Sequence, residues 1–101
     1  MTSEHLKKVL NRYWHHLEHE WPELSPIQLE GPDTSDKASR LDPGQRVAHY
    51  KFMCLEAQRF VDQGRIEKAM RWLGFLQGVL WKNDEYSLDE LKEHSRPKET
   101  I

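Results

Sequence analysis

Apolar residues recur at helical spacing along most of the chain, and the most apolar run spans Arg65 to Lys82. Within it, Ile66, Ala69, Met70, Leu73, Leu76 and Leu80 follow one another at helical steps and form one stripe. Trp72, Phe75 and Val79 form a second stripe on roughly the opposite side. A surface helix needs one apolar stripe, so two predict a helix covered on two sides.

The flanking pattern predicts three further helices. Leu6, Val9, Leu10, Tyr13 and Leu17, with Trp14 at the edge, give an apolar face from about residue 4 to residue 20, with Ser3 as N-cap. Pro22 ends that helix, because the residue before proline avoids the helical region. Asp42-Pro43 is an N-cap and first-turn pair, and the helix after it runs to about Gln63 with Gly64 as its C-terminal cap. Its main stripe is Val47, Tyr50, Cys54, Ala57 and Val61, with Met53 and Phe60 beside it, and Ala48, Phe52 and Leu55 make a shorter one. Ser87 and Glu90 have the spacing of a capping box, and Leu88 and Leu91 give the helix that follows a small face to dock. No segment reads as a strand. The expected fold is all-α: a small bundle of three main helices plus a short C-terminal helix, built on an antiparallel hairpin of helices two and three.

Between helices one and two the pattern breaks down. Residues 21–45 hold Pro22, Pro26, Pro32 and Pro43, two glycines and the polar run DTSDKAS. Ser25-Pro26 can start one helical turn through Leu29. Residues 30–41 read as a flexible loop and residues 95–101 as a frayed tail, all within a single domain over 1–101.

Composition changes this picture in one respect. Hydrophobic residues are 37% and charged residues 32%, so the core is lean, and a second copy is one usual remedy for a marginal core. The net charge of −2 argues against general attraction to nucleic acid or anionic membrane, although residues 42–82 are mildly basic and residues 83–101 mildly acidic. The single cysteine, Cys54, excludes an internal disulfide and fits a reducing compartment. The N-terminus lacks the apolar stretch of a signal peptide, and no run reaches the roughly 20 apolar residues of a membrane span, so a soluble cytoplasmic protein is expected.

Candidate chemistry is sparse. His15 and His19 are one helical turn apart and can share a divalent metal, but they lack a third ligand and lie on the face of Lys8 and Arg12. With His5 and His16 they also make the first helix acid-sensitive. Arg59, Arg65, Lys68 and Arg71, beside Trp72, form a basic and aromatic cluster of the kind that binds phosphates and stacks bases. Lys68, Trp72, Phe75 and Val79 have heptad-like spacing, and large aromatics at such a seam are typical interface anchors. Gly74 and Gly78, one turn apart, read as a close crossing point for another backbone. No glycine-rich phosphate loop, activated cysteine or paired-carboxylate motif points to an enzyme, and no cofactor is implied.

Residues 67–96 carry Lys68-Ala69, Arg71-Trp72-Leu73-Gly74-Phe75, Gln77-Gly78 and Leu80-Trp81, followed by Ser87-Leu88 and Glu90-Leu91-Lys92. This run resembles a pattern found in small, mostly uncharacterised proteins of tailed bacteriophages, and covers about a third of the chain. The resemblance carries no activity; it implies a phage origin and an accessory or host-interaction role. The expected function is therefore a non-enzymatic binding or regulatory protein, a homodimer through Trp72, Phe75 and Val79. The alternative is nucleic-acid or nucleotide binding through Arg59, Arg65, Lys68 and Arg71.

Overall fold

A computed structural model describes residues 1–96. Four helices follow in order: α1 (Ser3–Glu20), α2 (Pro43–Asp62), α3 (Ile66–Lys82) and α4 (Leu88–Ser95). They form an all-α bundle with no strand among the described residues. The expected tail over 95–101 lies mostly outside this range.

Helix boundaries follow local chemistry. Asp42 accepts from the Gly44 N–H while Gln45 accepts from the Asp42 N–H, which makes a capping box at α2. Ser87 and Glu90 do the same at α4. Gly64 turns the chain between α2 and α3 at φ +76°, where a side chain would be strained. The α1 cap lies one residue before the expected Ser3, because the Thr2 hydroxyl accepts from the His5 N–H. Ser25–Leu29 forms no helical turn. Its N–H groups are drawn to α2 instead: Ile27 donates to the Ala48 carbonyl at 3.1 Å and Leu29 to His49 Nδ1 at 3.2 Å.

The core is where α1, α2 and α3 meet. Of the expected α1 face, Leu6, Val9, Leu10, Tyr13 and Leu17 are buried and Trp14 is half-buried, against Met53, Cys54, Ala57, Phe60 and Val61 of α2 and Ala69, Leu73, Leu76 and Leu80 of α3. Leu91 anchors α4 to this core, whereas Leu88, expected to dock beside it, is exposed. Cys54 is buried, and desolvation pushes its thiol up to about 12, so it is an inert core residue.

One buried residue is charged. Lys51 has no solvent exposure, and its Nζ donates to Glu18 Oε2 at 2.9 Å, to the Leu24 carbonyl at 2.6 Å and to the Trp21 carbonyl. An ammonium has three hydrogens, and each has an acceptor here. The cation closes the C-terminal end of α1, where unpaired carbonyls and the negative end of the helix dipole favour it. Lys51 thus ties α2 to α1 and to the chain that leaves it.

The connection over residues 30–41 contains two short 3-10 turns, Gly31–Thr34 and Ala38–Arg40. Arg46 of α2 donates to the Ala38 carbonyl at 3.0 Å, and Leu41 is buried.

Candidate functional site

The faces of α3 divide differently from the pattern of its sequence. Ala69, Leu73, Leu76 and Leu80 point into the core. Met70, expected beside them, is exposed because it lies at the margin of that stripe, on the side of Gly74 and Trp81. Of the expected interface residues, Trp72 and Val79 are half-buried and Phe75 is exposed. Helix α2 covers this seam in part: Phe60 meets Trp72 edge-on at 4.8 Å, and Phe52 and Tyr50 reach Trp72 and Phe75 at 6.5 and 6.3 Å.

The face left open carries Met70 (46% exposed), Phe75 (53%) and Trp81 (50%), with Gly74 and Gly78 between them. Apart from its chain neighbours and the adjacent backbone of α3 itself, nothing lies within 4 Å of where a Cβ would project from either glycine. The close crossing expected there is therefore not made within one copy of the chain. The glycines form an open trough between Met70 and Trp81 on one side and Phe75 on the other. Beside it, α3 and α4 enclose a groove of about 570 Å³ lined by Gln77, Gly78, Trp81, Leu88, Lys92 and Ser95, among others. Leu88 adds a fourth exposed apolar side chain, at 53% exposure.

A buried polar cluster lies beneath this groove. The Tyr13 hydroxyl of α1 is 2.9 Å from His94 Nδ1 of α4. Gln77 Nε2 of α3 donates to the Tyr13 oxygen at 3.1 Å and to Ser95 Oγ at 2.9 Å. His5 Nε2 donates to the His94 carbonyl at 2.9 Å, and His16 Nε2 to Glu85 at 3.2 Å. Tyr86 packs edge-on against His94 at 4.8 Å and tilted against Tyr13 at 5.7 Å. Burial pushes Tyr13 up to about 12 and, with Arg12 nearby, holds His94 below the usual histidine range. Sequence reasoning misses this cluster, because Tyr13 and His94 are far apart in the chain and neither belongs to a motif.

Two residues of the basic cluster, Arg65 and Lys68, come together, over the Phe60 ring. Arg59 pairs with Glu56 at 3.5 Å on α2. Arg65 and Lys68 lie over the Phe60 ring at 4.9 and 4.6 Å, with Lys68 also 5.8 Å from the Trp72 ring. Arg71 is exposed on the outer side of α3. Trp72 is half-buried against Phe60, so the ring proposed for base stacking is partly covered. His15 and His19 are exposed on α1, and among the described residues no three His, Cys, Asp or Glu side chains gather to hold a metal. No helix among them is long and apolar enough to cross a membrane.

The described residues thus form a four-helix bundle with exposed apolar side chains on α3 and with α4 hydrogen-bonded to α1 and α3. No protein-family model matches the chain, and no curated protein or solved structure matches it significantly.

Proposed function

We propose that this is a small non-enzymatic binding protein that works through protein–protein contacts on the outer face of α3, with a second copy of itself as the partner. The observation that carries this reading is the exposure of Met70, Phe75, Trp81 and Leu88 together on one side of a chain with a lean core. Contiguous apolar surface of this kind marks interaction sites, and large aromatics are the usual anchors.

The face is self-complementary. In an antiparallel crossing of this open face at the level of Leu76 along the helix, positions equidistant from that level meet. Gly74 then faces Gly78 of the partner subunit, which lets two backbones approach closely. Arg71 faces the partner's Trp81, a cation over an indole ring. Met70 faces the partner's Lys82, whose methylene stem can lie along the thioether. The phage-like run over residues 67–96 spans this same surface, in keeping with an accessory or host-interaction role. The nucleic-acid alternative has weaker support, since Arg59, Arg65 and Lys68 already have partners within the chain.

Co-purification tests the proposal. Tagged protein should retain an untagged copy of different length, and Phe75→Glu with Trp81→Glu should abolish that retention without lowering thermal stability. Failure of the wild-type copies to associate, or association untouched by the double substitution, would refute it.

A further inference from the structure

The hydrogen bonds around Tyr13 fix one direction of donation. Gln77 gives both amide hydrogens away, to Tyr13 and to Ser95. The Tyr13 oxygen is therefore an acceptor from Gln77, and its single hydrogen goes to His94 Nδ1 at 2.9 Å. Nδ1 can accept only if it carries no proton, so His94 is neutral with its hydrogen on Nε2.

A proton on Nδ1 upsets the whole chain. His94 would become a second donor to the Tyr13 oxygen, and the Tyr13 hydrogen would lose its acceptor at a position with no solvent exposure. Turning the Gln77 amide over would offer Tyr13 an acceptor only by ending the donation from Gln77 to Ser95 that ties α3 to α4. Gln77 and Ser95 both line the groove between α3 and α4. The protonation state of His94 is thus coupled to the polar groups at the groove wall.

We propose that His94 is a proton-operated latch on α4: neutral, it locks α4 onto α1 and α3; protonated, it breaks the chain through Tyr13 and Gln77 and loosens the α4 wall of the groove. Its bearing on binding rests on the contact surface proposed above; the latch itself is read from the docking of α4 alone.

Charged and titratable groups face His94 from every side. From α1 come Arg12, which opposes the proton, Tyr13, and His5, which holds the His94 carbonyl. From α4 come Glu90 and Glu93, which favour it. The turn between α3 and α4 supplies Tyr86, and Glu85 bound to His16. From α3 comes the uncharged Gln77. Burial and Arg12 outweigh the two carboxylates, and His94 gives up its proton more readily folded than unfolded. Docking of α4 is therefore strongest above the ordinary histidine pKa of about 6.5 and weakens as pH falls below it.

Nitrogen-detected NMR of the histidine rings, with amide hydrogen exchange corrected for intrinsic rates, tests the latch on the full chain. His94 should carry its hydrogen on Nε2 at pH 7.5 and titrate below 6.5. Protection of the Leu91–Ser95 amides should fall by about tenfold or more between pH 7.5 and pH 5, with α2 little changed. Tyr13→Phe keeps the ring in the core and removes the hydroxyl, and should flatten that response. Titration of His94 at or above 6.5, α4 protection indifferent to pH, or an equal response in Tyr13→Phe would overturn the proposal. Exchange reports α4 in a monomer as well as in a dimer, so this result stands apart from the oligomer measurement. His49, whose Nδ1 accepts from the Leu29 N–H, titrates in the same spectra and affects the 24–30 segment rather than α4.

Discussion

Lys51 and Glu18 form an asymmetric ion pair: the ammonium is fully buried, while 43% of the Glu18 side chain remains exposed, at a separation of 2.9 Å. The buried partner also holds two carbonyls of the chain that leaves α1. Lys51→Met keeps the apolar stem and removes the cation, taking the lysine donor from the Leu24 carbonyl and leaving the Trp21 carbonyl only the Leu24 N–H. We expect a loss of about 3 kcal/mol in urea unfolding. Glu18→Gln should cost about 1 kcal/mol or less, because the amide still accepts and the position is partly exposed.

The glycines of α3 separate folding from association. Gly74 and Gly78 have open space where a Cβ would stand, so alanine at either fits within one copy. Each substitution should raise the stability of the subunit by about 1 kcal/mol through helix propensity. In the proposed crossing the same methyl separates two backbones, so self-association should weaken. Gly64→Ala, at φ +76°, should instead destabilise by about 1 kcal/mol. Thermal unfolding at low concentration, with light scattering at high concentration, distinguishes these outcomes.

Acid should unfold this protein in part through two histidines. Desolvation holds both His49 and His94 below the ordinary histidine range. Both groups therefore bind protons more weakly folded than unfolded. Their neutral forms favour the fold, and stability should be highest above about pH 6.5 and decline as pH falls through the range of their titration. Replacing both His49 and His94 by Gln should flatten the stability profile between pH 7 and pH 5, measured by urea unfolding at each pH.

Cys54 should be silent towards thiol reagents in the native state. Its burial pushes the thiol up to about 12, so neither access nor thiolate is available at neutral pH. Modification by a disulfide reagent should follow global unfolding and accelerate with urea. Fast labelling of native protein would contradict the core packing of α2.

The helices were legible because their signals are local. Asp42-Pro43, Gly64 and the Ser87–Glu90 box each act within one turn, and each stands where its spacing puts it. The α1 stripe is legible for the same reason, since one apolar face packs on one core. Residues whose role depends on distant partners were not. Lys51 stands within the α2 stripe, but a lysine there reads as solvated until the open end of α1 is seen against it. Tyr13 and His94 meet only when α4 folds back. The glycines of α3 read as a crossing point; the structure puts no second backbone of this chain there. Ser25-Pro26 reads as a helix start, but the N–H groups of Ile27 and Leu29 are bonded to Ala48 and His49 of α2 and no helical turn forms.

Sedimentation velocity across roughly 1 to 100 micromolar is the most direct test of the proposed contact surface. A chain of 12.1 kDa should approach a mass of about 24 kDa with rising concentration, and Trp81→Glu should return it to the monomer. A wild-type protein that sediments at 12.1 kDa throughout that range, with Trp81 open to a fluorescence quencher, would contradict self-association through α3.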